Sequence, residues 1–122
     1  MFPLLRRRLA TGITTTRYPE APETPPPAFR GMPVLHDSAC QGDGACDTAC
    51  PTSAIQVAKD ADGWTWRLDR AACTGCGLCI DVCPFVALSV SLEFELASRT
   101  RADLIETVHF RRPGAPRVEA GR

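Results

Sequence analysis

Seven cysteines fall into two segments that lie in register with one another. The second reads Cys73-Thr74-Gly75-Cys76-Gly77-Leu78-Cys79-Ile80-Asp81-Val82-Cys83-Pro84, a spacing that suits thiolate ligation of iron-sulfur clusters. The first reads Cys40-Gln41-Gly42-Asp43-Gly44-Ala45-Cys46-Asp47-Thr48-Ala49-Cys50-Pro51. Adding 33 maps Cys40 onto Cys73, Cys46 onto Cys79, Cys50 onto Cys83 and Pro51 onto Pro84, with Asp43 landing on Cys76. The odd cysteine count is therefore a substitution inside a motif. Thiolates at the first, fourth and seventh positions of a tight loop can wrap three corners of an iron-sulfur cube, and the fourth corner must come from elsewhere.

The register continues past the ligands, with Ala54, Ile55 and Val57 against Ala87, Leu88 and Val90, which marks an internal duplication. A disulfide framework calls for an even cysteine count and a secretory signal, and the sequence offers neither. Zinc also accepts closely spaced thiolates, but Cys-Pro endings after triplets of cysteine favour iron and sulfide. Glycines flank the middle position of both loops, Gly42 and Gly44 in one and Gly75 and Gly77 in the other, where the chain must turn tightly. Replacing one thiolate by a carboxylate should separate the two sites in potential and lability.

These loops need elements to position them. The 122 residues and 44% apolar composition allow one small domain with extensions, and ligand bonds to a metal should supply much of its stability. Short helices are expected to follow Cys46 and Cys79 and to stop at Pro51 and Pro84. Residues Ile55 to Lys59 and Trp64 to Leu68, flanking Asp60-Ala61-Asp62-Gly63, read as a β-hairpin. Trp64, Trp66 and Leu68 share one face of its second strand, either as packing in a small core or as cover for a cluster or partner. The alternation of Leu88, Val90 and Leu92 marks a closing strand.

Formal net charge is zero, yet the charges are segregated. Residues 1–30 carry five arginines and two acids, residues 31–96 three cations and nine acids, and residues 97–122 six arginines and three acids. We therefore divide the chain into a basic N-terminal arm with a proline-rich linker (1–30), a two-cluster domain (31–96) and a basic C-terminal tail (97–122). Phe2, Leu4, Leu5 and Leu9 beside Arg6, Arg7 and Arg8 would make a basic amphipathic helix that rests on a membrane surface or a partner. Pro19, Pro22, Pro25, Pro26 and Pro27 read as an extended linker. No apolar run is long enough to span a bilayer or to act as a signal peptide, which places the chain on the cytoplasmic side. His36 and His109 stand alone, and nothing resembles a catalytic constellation. The basic arms lack a nucleic-acid binding motif.

The motifs resemble those of two-cluster bacterial ferredoxins. Further segments make the chain resemble the two-cluster iron-sulfur subunit of respiratory complex I and its relatives in membrane-bound hydrogenase and formate hydrogenlyase complexes. These are Thr14 to Glu20 with Phe29-Arg30-Gly31, Trp64 to Leu68 ahead of Cys73, and Phe94 to Ala97 with Arg101 to Ile105. The resemblance implies an α+β, two-cluster ferredoxin-like fold: pseudo-twofold, with short helices, small antiparallel hairpins and extended terminal arms. It also implies that each Cys-Pro cysteine serves the other half. Cys50, Cys73, Cys76 and Cys79 would then hold one 4Fe-4S cluster, and Cys40, Cys46 and Cys83 a second, with Asp43 in its remaining corner. Three arrangements fit that corner: Asp43 ligates the fourth iron of a 4Fe-4S cluster, the corner loses iron to give 3Fe-4S, or Asp43 turns to solvent as a loop residue.

The function this implies is a non-catalytic electron relay. It would sit in a complex I-like, formate hydrogenlyase-like or hydrogenase-like oxidoreductase, on the cytoplasmic face of the inner membrane. Its partners would be other iron-sulfur subunits and hydrogenase-like or quinone-module subunits. Two alternatives are a soluble ferredoxin shuttle, for which the arms are surplus, and an iron or redox sensor that exchanges iron at the Asp43 corner.

Overall fold

The computed structural model describes residues 2–13 and 15–111. The last part of the basic tail, 112–122, and positions 1 and 14 lie outside the described residues. In chain order the elements are α1 (Phe2–Thr11), β1 (Pro33–Leu35), α2 (Ala45–Thr48), β2 (Ile55–Lys59), β3 (Gly63–Asp69), α3 (Leu78–Asp81), β4 (Leu88–Val90), a 3-10 turn (Arg101–Leu104) and β5 (Ile105–Arg111). Strands β1 and β4 pair antiparallel in one small sheet, while β2, β3 and β5 form a second with β3 in the middle.

The duplicated sequence folds into duplicated conformation. Gly42 and Gly75 have φ of 66° and 65°, Gly44 and Gly77 have 88° and 82°, and Ser53 and Val86 both have 52°. Strand register repeats as well: Leu35 pairs with Leu88, and the same positions shifted by 33 give the pair Leu68 and Ile55. The two helices begin two residues earlier than expected, at Ala45 and Leu78 and not after the cysteines, because left-handed Gly44 and Gly77 turn the chain directly into them. Cys46 and Cys79 are consequently carried inside the helices and buried.

Repeat positions beyond the motifs supply the core. Ala54 and Ile55 are buried with their counterparts Ala87 and Leu88, alongside Trp66, Leu68, Cys46 and Cys79. Each fully buried large side chain contributes about 1.5–3 kcal/mol, and only Trp66, Ile55 and Leu68 fall in that group among the described residues. So small an apolar core leaves much of the stability to whatever binds the cysteines.

The expected hairpin β2–β3 is present, with Asp60 Oδ1 accepting from the N–H groups of Asp62 (2.9 Å) and Gly63 (2.7 Å) in its turn. It is not the whole sheet. The segment after Leu104 adds β5 along the other edge of β3, pairing Trp64 with Phe110 and Asp69 with Ile105. Ion pairs Arg101–Asp69 and Arg70–Glu106, each at 2.6 Å, pin the start of that strand. Helix α1 packs on nothing among the described residues, leaving Phe2, Leu4, Leu5 and Leu9 exposed, and it ends at Gly12 with φ 63°. The segment 19–27 forms no helix or strand, and Tyr18 before it lies against Phe94 with ring centroids 6.0 Å apart.

The β3–β5 contact depends on Gly63, where an added Cβ would lie 1.9 Å from the backbone oxygen of Phe110. Backbone cannot yield as a flexible side chain does. Gly63→Ala is expected to destabilise the cluster-loaded protein by about 1–3 kcal/mol, read as a lowered midpoint of thermal unfolding with the sheet edge at β5 opening first by hydrogen exchange.

Candidate iron-sulfur sites

One cavity gathers cysteines from both motifs. Cys73, Cys76 and Cys79 line it together with Cys50 from the first motif, and Gly31 and Pro33 lie on its wall. Helix α3 holds Cys79, the glycine turns at Gly75 and Gly77 present Cys73 and Cys76, and the end of the first motif delivers Cys50. Two of these sulfurs accept backbone N–H groups, Cys73 from Gly75 at 3.4 Å and Cys50 from Ala54 at 3.3 Å. The Thr52 hydroxyl lies 3.7 Å from Cys50 Sγ.

The electrostatics of this cavity call for a cation-bearing guest. Burial acts to raise the Cys50 thiol's pKa, but N–H donation from Ile55, Thr52 and Ala54 and the Thr52 hydroxyl outweighs it, and the net shift is downward. Burial pushes Cys79 up to about 11, helped by the nearby charges of Cys73, Cys46 and Cys76. Neighbouring thiolates that cannot all ionise alone do so when a metal binds them and displaces their protons.

The first loop builds a related site with different surroundings. Cys46 is buried in α2, and its thiol's pKa is raised chiefly by burial and further by the charges of Asp43 and Cys40, while the Trp66 side chain acts to lower it. Asp43, Cys40 and Trp66 therefore stand near the Cys46 sulfur. Cys83 repeats the setting of Cys50, accepting the Ala87 N–H at 3.4 Å. Asp43 is exposed, as is its counterpart Cys76, and its Oδ2 accepts the N–H of Ala45 at 3.2 Å. His36 bonds Ser89 at 2.8 Å and His109 bonds Thr65 at 2.9 Å, each exposed and in a packing role.

Both tryptophans belong to this first site. Trp66 is fully buried in the same core cluster as Cys46. Trp64 covers Gly42: an added Cβ there would lie 2.5 Å from Trp64 Cγ. Of the readings the sequence allows, the structure shows packing: Trp66 in the core and Trp64 on the loop at Gly42. Gly31 and Pro33 were not singled out as wall residues of the other cavity, although the offset of 33 that aligns the cysteines also places them on Trp64 and Trp66.

This difference is measurable. Gly42 and Gly75 share φ near 65°, so alanine strains both backbones alike, but a Cβ at Gly75 would meet Arg30 O no closer than 3.3 Å. Gly42→Ala is expected to cost about 1–3 kcal/mol more than Gly75→Ala and to lower iron and acid-labile sulfide per chain at the first site.

Residues 33–90 match the family model of the 4Fe-4S dicluster domain. Over 112 residues, 90% of its length, the chain is 42% identical to formate hydrogenlyase subunit 6 of Escherichia coli (strain K12), covering 62% of that protein. It is 36% identical over 59 residues to NADH-quinone oxidoreductase subunit I 2 of Anaeromyxobacter dehalogenans (strain 2CP-C), covering 44% of this chain and 22% of that one. Among solved structures it is similar to a chain of the membrane-bound sulfane sulfur reductase, an archaeal respiratory membrane complex. That match has a TM-score of 0.65 and 28% identity, over 81% of this chain and 55% of the other. The chain thus spans less than two thirds of the length of each of these relatives.

Proposed function

We propose that this homologue of formate hydrogenlyase and complex I iron-sulfur subunits is a non-catalytic electron relay with two clusters, built into a membrane-associated oxidoreductase. The observation that carries the reading is the cavity in which Cys50 joins Cys73, Cys76 and Cys79. A bound cluster there takes up and gives on one electron at a time. The chain's own part is to fix the thiolates, to direct the Ala54 and Gly75 N–H groups at sulfur and to exclude water from Cys46 and Cys79. The shared register of the two strand pairs supports a pseudo-twofold relation between the halves, with Cys40, Cys46 and Cys83 as the second ligand set.

At the remaining corner the Asp43 bond to its own helix favours a turn role, with three thiolates holding a 3Fe-4S cluster. The division into arm (1–30), cluster domain (31–96) and tail (97–122) belongs to this reading, with the strand β5 fastening the tail to the domain. Among the described residues no helix is long and apolar enough to cross a membrane. Attachment would therefore come from partner subunits and the exposed basic helix α1, and we place the chain on the cytoplasmic face. The relatives' names, all subunits or chains of larger complexes, support partners that carry further iron-sulfur centres and a hydrogenase-like or quinone module.

Cys50→Ser should remove the cluster of the second motif although it lies in the first; loss of the first-loop signal instead would refute the crossed ligand sets. Anaerobic affinity purification of the intact chain should recover oxidoreductase subunits in stoichiometric amount, and recovery of the chain by itself would argue for a shuttle. Electron paramagnetic resonance should show an oxidised 3Fe-4S signal that Asp43→Cys abolishes. Two ordinary 4Fe-4S centres in the native protein would reject the vacant corner.

A further inference from the structure

The two sites differ in what packs on their loops. Strand register preserves the offset of 33, since Pro33 pairs with Val90 as Trp66 pairs with Val57. At the cavity of Cys50, Cys73, Cys76 and Cys79 the wall positions are Gly31 and Pro33, which offer no side-chain donor. At the first loop the equivalent positions are Trp64 and Trp66.

Each indole is held firmly. Trp64 Cγ, Cδ1 and Cδ2 all lie 2.5 or 2.6 Å from where a Gly42 Cβ would stand, so the ring face covers the loop, and Phe110 stacks on it at 5.1 Å with planes 10° apart. Trp66 is fully enclosed in the core beside Cys46. Both Nε1–H groups are shielded from solvent and meet no protein acceptor in full hydrogen-bonding geometry, although the Trp66 side chain lies close enough to the Cys46 sulfur to lower that thiol's pKa. A buried donor left without an acceptor forfeits its hydration without return, and these are the two such side-chain atoms among the described residues. Both sit at the first loop, Trp64 on Gly42 and Trp66 beside the Cys46 sulfur, where a sulfur-rich guest would supply further acceptors.

We propose that the indole N–H groups of Trp64 and Trp66 donate hydrogen bonds to the sulfurs of the cluster held by Cys40, Cys46 and Cys83, and thereby raise its reduction potential. The inference rests on the two-cluster reading above. A donor aimed at sulfur stabilises the reduced form, which carries one more negative charge, so the potential moves upward. The other cavity has no indole at the matching positions, its side-chain donor near sulfur being the Thr52 hydroxyl 3.7 Å from Cys50 Sγ, so the two clusters are set apart by their surroundings as well as by Asp43.

The test uses the intact chain, anaerobically loaded. The sequence has two tryptophans in all, so labelling tryptophan with indole ¹⁵N marks these donors alone. Pulsed electron paramagnetic resonance should find ¹⁵N coupling on the first cluster's signal and none on the second's. Replacing tryptophan by 3-benzothienylalanine keeps the shape and removes only the N–H; potentiometric titration should then move the first cluster's potential downward and leave the second's in place. Trp64→Phe and Trp66→Phe separate the two contributions, each expected to shift the same way. Absence of ¹⁵N coupling, or an unmoved first potential in a chain with full iron and sulfide content, overturns the proposal while leaving two clusters standing. Iron and sulfide for a single cluster in the native protein would refute the two-cluster reading and this proposal with it.

Discussion

Three thiolates on one tight loop leave a cube open at its fourth corner, and in this protein the missing thiol reaches the second loop from the first motif. Cys50 faces the cavity of Cys73, Cys76 and Cys79, while its own loop belongs to the other half. Neither half can complete that site alone. The rest of the fold answers to this exchange: α2 and α3 lie against each other, and Ala54 and Ala87 each send an N–H to the sulfur of the preceding Cys-Pro cysteine. Their neighbours Ile55 and Leu88 then close the core immediately behind those sulfurs.

Around that shared centre the two halves diverge. One side is walled by Gly31 and Pro33, the other by two indoles, and only the indole side carries a third strand. Strand β5 explains how Trp64 can cover a loop from a two-stranded hairpin's edge, because Phe110 backs it from the neighbouring strand. The ion pairs at the foot of β5 are partly exposed, and pairs of that kind contribute about 0.2–1 kcal/mol each. Pairing along β3 and the Trp64–Phe110 stack are the larger forces holding the strand.

Much of this was legible in the sequence. The repeated motifs and the turn residues at 60–63 pointed to the two short helices, the hairpin and the closing strand, because local turns at glycine and proline are fixed by backbone sterics. What escaped was non-local. Ile105 to Arg111 sits in a basic tail with Thr107 and His109 interrupting its apolar residues, and it becomes a strand only because β3 presents a free edge. The role of Trp64 was hidden similarly, since nothing in its spacing points at Gly42 some twenty residues earlier. Each helix starts two residues ahead of the position the cysteines suggest because the left-handed glycine, rather than the cysteine, is the turning point.

Position 43 also has a bearing on which ligand changes the fold can bear. Among the eight aligned motif positions, 43 and 76 are exposed, 46 and 79 are buried, and the remainder are intermediate. A carboxylate at a buried position would surrender its hydration, at a cost that ordinarily forces it to take up a proton instead. At the rim it keeps water on one side and its charge with it. The exposed positions of the two loops, 43 and 76, are therefore those at which a carboxylate keeps its charge at least cost, and Asp43 stands at one of them.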